Sequence, residues 1–206
     1  MIIALCGNIG SGKDTVANIL IQECGFSRMS FAGPLKRAVA AIFNWDFNLL
    51  EGITDESRAW REEVDEWWSN RLNIPNLTPR FVLQHIGTDV MRECFHEDIW
   101  AASIESHLKS VTGNVVLSDC RFPNELQTIR NAGGLVWEVR GKKLPEWYDI
   151  AAKANAGETD ASEKLASFAI HQSETSWIGN PTDSVINNNS TLESLKDQVL
   201  SLYTKT

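Results

Sequence analysis

Short apolar runs recur along the chain, each followed by a glycine-rich or polar turn and then by apolar residues at helical spacing. Ile2 to Cys6 is the first, and an uninterrupted run of this kind is what a buried parallel strand presents. Gly7 to Gly12 follows as a turn. Asp14 to Glu23 then places Val16, Ile19 and Leu20 at helical intervals, with Gly25 as the stop. A second strand is expected over Phe26 to Phe31, broken at Gly33-Pro34 before a helix from about Leu35 to Phe43. Helices are expected over Pro79 to Glu93 and Asp98 to Lys109, and a strand over Asn114 to Ser118. The helix Asn124 to Ala132, the turn Gly133-Gly134 and a strand over Leu135 to Val139 come next. Ser184 to Ile186 makes a short last strand. Thr191 to Leu200 closes the chain as an amphipathic helix with Leu192, Leu195, Val199 and Leu200 on one face and Thr191 as its cap. Strands alternating with helices predict the α/β class, a parallel sheet covered on both faces.

Two stretches depart from this alternation. Residues 46–78 accumulate Glu51, Asp55, Glu56, Glu62, Glu63, Asp65 and Glu66 beside Trp60, Trp67 and Trp68, and read as a charged helical insertion. Residues 141–180 are polar and partly helical, and read as a second one. With 206 residues the expectation is a single domain carrying both insertions.

Composition changes the picture in three ways. The apolar fraction of 43% is that of an ordinary globular chain. A formal net charge of -8 argues against a nucleic-acid polymer as partner, but a few convergent cations in a cleft still suffice for a small anion. Cys6, Cys24, Cys94 and Cys120 form no C-x-x-C pair and sit among apolar neighbours, so buried free thiols in a reducing cytosol are expected. Met1 to Cys6 lacks the basic start of a signal peptide, and no apolar run approaches the ~20 residues that cross a bilayer.

The sharpest chemistry is the loop Gly7-Asn8-Ile9-Gly10-Ser11-Gly12-Lys13-Asp14-Thr15, which fits G-x-x-x-x-G-K between a strand and a helix. Glycines let backbone N–H groups turn toward phosphate oxygens, the helix N-terminus adds partial positive charge, and Lys13 reaches the terminal phosphates. The bland alternative is a glycine-rich turn that binds nothing. The residue after the lysine is usually Ser or Thr, a Mg²⁺ ligand; here it is Asp14. Either Thr15 takes that role, or Asp14 helps hold the metal or the acceptor, or Asp14 is simply a favourable first-turn acid.

A second acid, Asp119, ends the strand Val115 to Ser118, where ligands of open α/β sheets bind and where a carboxylate orients the waters of Mg²⁺. For Asp119 alone, a helix N-cap is the competing reading. Arg121 projects over the same edge, and Arg140, ending the next strand, is a further candidate. Arg130 reads as solvated, and Asn124 and Glu125 as caps. Lys36, Arg80, Gln84, Gly87, Thr88, Asp89 and Arg92 are acceptor-side candidates, with Arg80, Gln84 and Gly87 or Thr88 at helical spacing on one face. Trp45, Trp60, Trp67, Trp68 and Trp100 cluster in this region; one stacking on a base competes with core packing for each. His96-Glu97-Asp98 lacks the H-E-x-x-H spacing of a metal hydrolase.

At these residues the chain resembles the bacteriophage deoxynucleoside monophosphate kinase family. The resemblance rests on Ser11 to Thr15, Ala32-Gly33-Pro34-Leu35-Lys36, Arg80 with Gln84, Gly87-Thr88-Asp89, Asp119-Cys120-Arg121, His171-Gln172-Ser173-Glu174 and Val185-Ile186-Asn187-Asn188. It implies a three-layer P-loop fold with a five-stranded parallel sheet, an acceptor-binding insertion over about 46–110 and a lid over about 141–180. It implies ATP and Mg²⁺, with Gly7, Asn8, Gly10 to Thr15 and Asn187 on the ATP, and Asp14, Thr15 and Asp119 near the metal. Lys-Asp-Thr is the family's own loop pattern. Lys13, Arg121, Asp119 and Asp14 would carry the transfer. The resemblance assigns Arg80, Thr88, Asp89 and Arg121 to the acceptor or the transferring phosphate and His171 to Glu174 to the lid side; with Lys36, Gln84, Gly87, Trp100 and Arg140 from the residue pattern, these make up the candidate acceptor lining. Its partners are then small molecules, ATP and a deoxynucleoside monophosphate, with no membrane and with a homodimer compatible; a phage-encoded chain would work in the host cytoplasm. Animal phosphomevalonate kinase shares the Gly-Lys-Asp loop, Gly-Pro-Leu-Lys and Asp-x-Arg, so another phosphorylated or hydroxyl acceptor is the nearest rival. A nucleotide-binding ATPase or switch is the more distant one.

Overall fold

A computed structural model describes residues 1–206. Five strands, β1 (Ile2–Cys6), β2 (Ser27–Met29), β3 (Val115–Leu117), β4 (Leu135–Gly141) and β5 (Ser184–Asn188), pair in parallel in the order β2-β3-β1-β4-β5. The helices are α1 (Lys13–Cys24), α2 (Gly33–Phe43), α3 (Phe47–Glu51), α4 (Asp55–Trp60), α5 (Glu66–Leu72) and α6 (Pro79–Gln84). After a π-helical segment (His85–Phe95) come α7 (Ile99–Leu108), α8 (Pro123–Asn131), α9 (Tyr148–Asn155), α10 (Thr159–Ala166), α11 (Gln172–Thr175) and α12 (Leu192–Tyr203). The α/β class and the parallel sheet are therefore as the apolar runs predict. Two compact units emerge: Met1–Phe31 with Ile104–Thr206, and Ala32–Ser103.

The first unit holds the whole sheet. β1 is central, and Ile3 to Cys6 are wholly buried because both faces of a parallel sheet are covered. On one face Ile3 and Leu5 pack with Val16, Ala17 and Leu20 of α1 and with Leu195 and Val199 of α12. Cys6 points to the opposite face by strand alternation, and α8 packs against β1 and β4 with Leu126 and Ile129 buried. α1 stops where expected: Gly25 takes a left-handed φ of 69°, and the N–H of Phe26 returns to the Leu20 carbonyl at 3.2 Å.

The second unit is built of short helices around its own core of Leu35, Val39, Phe43, Leu50, Leu77 and Val82, flanked by Trp45, Trp60, Trp68 and Trp100. Much of the acidic stretch serves these helices locally. The Asp46 and Asp65 carboxylates accept N–H bonds at the starts of α3 and α5, and Thr54 and Thr78 do the same for α4 and α6. Asp65 also receives the Trp45 indole N–H at 2.8 Å.

Three expectations need correction. The helix expected over Pro79 to Glu93 is α-helical only to Gln84; beyond it the ladder widens to i→i+5, ending with the His96 N–H on the Met91 carbonyl at 3.0 Å. Residue spacing along an α-helical face therefore does not extend past Gln84. Cys94 is exposed on this segment, whereas Cys6 and Cys120 are buried as expected. Arg130 is not free in solvent, for its guanidinium donates to the Pro181 carbonyl.

Candidate active site

The loop between β1 and α1 is shaped by contacts that only glycine permits. Gly7 has φ 149°, and a Cβ there would lie 2.3 Å from the Val139 carbonyl oxygen and 2.8 Å from Ser11 Oγ. Gly12 has φ 100°, and a Cβ there would meet Asn188 Nδ2 at 2.3 Å. Gly10, also at positive φ, stands in open space. Lys13 opens α1 and folds back, donating from Nζ to the carbonyls of Gly7 (2.7 Å) and Asn8 (2.8 Å). An ammonium has three protons, so two hold the loop in shape.

Two buried polar atoms in this loop have no partner: Asn8 Nδ2 and Ser11 Oγ. Buried polar groups are nearly always satisfied, so two orphans in one loop beside a lysine mark a place shaped for a polar ligand. Burial pushes Lys13 down to about 8, with the nearby Arg121 guanidinium adding repulsion, while Glu174 and Asp14 act the other way. An arriving polyanion relieves that repulsion.

The acids at the loop's edge are engaged by donors. Asp14 Oδ1 accepts from Ser118 Oγ (2.8 Å) and from Arg28 (3.1 Å), and Arg28 also donates to Ser118 Oγ and Asn18 Oδ1. Burial raises the Asp14 pKa, but the Ser118 hydroxyl and Arg28 outweigh it and hold the carboxyl below the ordinary value. Thr15 is half-buried in the first turn of α1. Asp119 accepts from Ser30 Oγ (2.6 Å) and from the Phe31 N–H (3.1 Å), tying the end of β3 to the residues after β2. It is not the N-cap of α8, which begins at Pro123; there the Glu125 carboxylate receives the N–H groups of Arg121 and Phe122.

The Arg121 guanidinium pairs with Glu174 and reaches Ser173 Oγ at 3.4 Å. Glu174 lies in α11, which His171 caps through Nδ1 accepting from the Ser173 N–H. α11 is anchored to α9, because Asn155 Nδ2 donates to the carbonyls of Thr175 and Ile178, both at 2.8 Å. Arg140 binds the buried Glu138 carboxylate through two bonds of 2.7 and 2.9 Å, and the Tyr148 hydroxyl donates to the same carboxylate at 2.6 Å. That cluster fastens α9 to β4.

At β5 the residue touching the loop is Asn188, whose Nδ2 donates to the Ser11 carbonyl at 3.0 Å. The backbone of Asn187 is taken up by Gln198 instead. Adjacent strand residues point to opposite faces, so a one-residue ambiguity in the Asn187-Asn188 pair decides which reaches the loop. Arg28, Ser118 and Glu138 were also missed by sequence reasoning; Arg28 carried no local signal because its partners lie on other elements.

The remaining candidates all fall in the Ala32–Ser103 unit. Lys36 donates to the Glu51 carbonyl at 3.1 Å. The Arg80 side chain pairs with Glu62 at 3.3 Å, and its N–H donates to the Arg61 carbonyl. Gln84 is exposed at the end of α6 and Thr88 is half-buried. Asp89 faces His85 Nδ1 at 2.8 Å, one turn away. Gly87 packs so closely on Leu35 that a Cβ would come within 2.7 Å of it, and its carbonyl receives the Trp100 indole N–H at 2.8 Å. Trp100 is thus part of this unit's core.

A parallel sheet whose first strand runs through a glycine-rich, lysine-closed loop into a helix defines a P-loop protein. A protein of Acanthamoeba polyphaga mimivirus named as a deoxynucleotide monophosphate kinase is 32% identical, the match spanning 68% of this chain and 73% of that protein. The chain belongs to the deoxynucleotide monophosphate kinase family. The deoxynucleoside-5'-monophosphate kinase of Escherichia phage T5 is 26% identical, across 66% of this chain and 74% of its own. No protein-family model matches. Among solved structures, the shikimate kinase of Aquifex aeolicus is 15% identical with a TM-score of 0.43, covering 100% of this chain and 98% of that one. Dephospho-CoA kinase of Campylobacter jejuni is 14% identical with a TM-score of 0.42, covering 99% and 96%. Both are distant likenesses. No helix is long and apolar enough to cross a membrane.

Proposed function

We propose that the chain transfers the γ-phosphoryl group of ATP, with Mg²⁺, to a deoxynucleoside monophosphate, giving the diphosphate. The observation that carries this reading is the loop itself: Lys13 spends two protons on the Gly7 and Asn8 carbonyls and keeps one for a phosphate oxygen, beside the orphaned Asn8 Nδ2 and Ser11 Oγ. The names of the mimivirus and phage T5 relatives support the acceptor class.

An acceptor phosphate has a second pKa of about 6 and is already deprotonated at neutral pH, so the reaction needs no general base. What remains is to align two polyanions that repel and to stabilise charge during transfer. Lys13 and the loop hold the ATP phosphates, and Arg121 steadies the group in flight. Glu174, now paired with Arg121, is displaced from it by the incoming phosphate. Asp14, Thr15 and Asp119 would hold Mg²⁺, which supplies charge neutralisation on the phosphates. The donor set fits, since Mg²⁺ typically takes one or two carboxylates plus phosphates and waters, and Asp14 is held ionised. Arg80, Gln84, Thr88 and Asp89 recognise the acceptor, and the 141–180 region acts as the lid that excludes water.

A coupled ADP-release assay against deoxy- and ribonucleoside monophosphates, with phosphomevalonate and water as controls, tests the reading. ADP release dependent on a deoxynucleoside monophosphate is expected. Release indifferent to every monophosphate would leave an ATPase, and a response to phosphomevalonate alone would change the acceptor.

A further inference from the structure

Four cations gather at the turn between α3 and α4: Lys36, Arg58, Arg61 and Arg80. Lys36 donates to the Glu51 carbonyl and Arg58 Nε to the Gly52 carbonyl, each at 3.1 Å, while the Arg80 N–H donates to the Arg61 carbonyl at 2.9 Å. Three of these side chains have a carboxylate: Lys36 with Glu51 (3.7 Å), Arg58 with Asp55 (3.1 Å) and Arg80 with Glu62 (3.3 Å). Arg61 pairs with none, and its Nε is buried without a hydrogen-bond partner.

The seat of Arg61 is nevertheless specific. Its guanidinium lies across the α-carbon of Gly52, where a Cβ would fall 2.2 Å from Cζ, 2.4 Å from Nη2 and 2.6 Å from Nη1. Gly52 is buried and has φ 68°, so glycine serves both the turn and the guanidinium above it. Burial, reinforced by repulsion from the neighbouring Arg80 and Arg58, holds the Arg61 pKa below the ordinary arginine value, although Glu62 and Glu51 pull the other way. An arginine kept for structure has its donors satisfied by carbonyls or carboxylates; this one is held in place with its Nε unbonded and no ion pair of its own, while Glu62 and Glu51 act on it only from a distance.

We propose that Arg61, assisted by Arg80, is the group that receives the dianionic 5′-phosphate of the acceptor. The proposal rests on the kinase reading above and gives a role to the 46–78 insertion, which lies outside the motifs that carry the family resemblance. A planar fork suits a phosphate monoester, which accepts two parallel bonds, and two adjacent cations answer its double charge. Arg61 binds and orients the acceptor and takes no proton.

The test is steady-state kinetics of the wild-type chain, Arg61→Gln and Arg61→Lys, with the monophosphate that the wild type phosphorylates fastest and with ATP varied separately. Inhibition by the matching deoxynucleoside, which lacks the phosphate, is measured beside it. Arg61→Gln is expected to raise the acceptor KM roughly ten- to a hundredfold, leaving the ATP KM and the deoxynucleoside inhibition constant near wild type. Arg61→Lys, which keeps charge and stem but loses the fork and guards against a variant that fails to fold, is expected to fall between. An unchanged acceptor KM in a folded Arg61→Gln, or equal losses for monophosphate and deoxynucleoside, overturns the assignment to Arg61 alone. A wild type that phosphorylates no monophosphate overturns the kinase reading and this proposal with it.

Discussion

In the loop between β1 and α1, the polar groups sit on nine consecutive residues and are fixed by the loop's own carbonyls, by Asn188 and by the sheet beneath. In the Ala32–Ser103 unit, candidate groups are scattered over α2, the end of α4, α6, the π-helical segment and α7, held by a cluster of tryptophans. The first arrangement is local in sequence and rigid through backbone geometry. The second depends on tertiary packing, and its precision is only as good as the core that carries it.

The comparison breaks first at Lys13. Lys13→Ala is expected to lower kcat/KM by about a thousandfold while leaving thermal stability nearly intact, because it removes charge from the transferring phosphates. Activity close to wild type would remove the loop from the account. In the other unit the largest effect is structural. Leu50 is wholly buried, and Leu50→Ala is expected to cost about 2–5 kcal/mol, read by denaturant unfolding. The acceptor KM should rise in the folded fraction and the ATP KM should hold; if both move together, the two units do not divide the binding work.

Arg121→Ala is expected to reduce kcat by about a hundredfold with little change in either KM, since its contact strengthens only in transfer. A pure KM effect would make it a binding group instead. A pH series sharpens the loop side further. Lys13 titrates near 8 in the folded protein and at about 10.4 when unfolded. Between those values the unfolded state holds more protons, so this residue makes stability rise with pH across that window. ATP favours the charged ammonium, so above pH 8 binding should take up a proton and weaken as pH rises. Calorimetry in buffers of different ionisation enthalpy reads that uptake, and Lys13→Ala should abolish it. The smallest effect belongs to Asn188→Ala, which removes one bond to the Ser11 carbonyl and should raise the ATP KM several-fold, about 1 kcal/mol.

The same contrast explains what was legible in the sequence. The sheet, the loop and α1 follow from apolar runs and from glycines whose positive φ no other residue tolerates cheaply, all short-range signals. The capping of α5 by Asp65 was hidden because that acid reads as part of a charged stretch rather than as a cap. The π-helical segment was hidden because its residues fit an α-helical pattern as well, and only the i→i+5 backbone ladder reveals the difference. Arg28 and Asn188 gain meaning only through partners on other elements, and Arg61 only through its seat against Gly52. Arg140 shows the converse, since a strand-end arginine that reads as a ligand is bound to a carboxylate two residues away.

The most direct test follows the phosphorus itself: ATP carrying a radiolabelled γ-phosphate, Mg²⁺, the chain and each deoxynucleoside monophosphate in turn, with products separated by chromatography. Label appearing in a deoxynucleoside diphosphate, and vanishing in Lys13→Ala, is the predicted result. Label released only as inorganic phosphate, whichever monophosphate is present, would contradict the account.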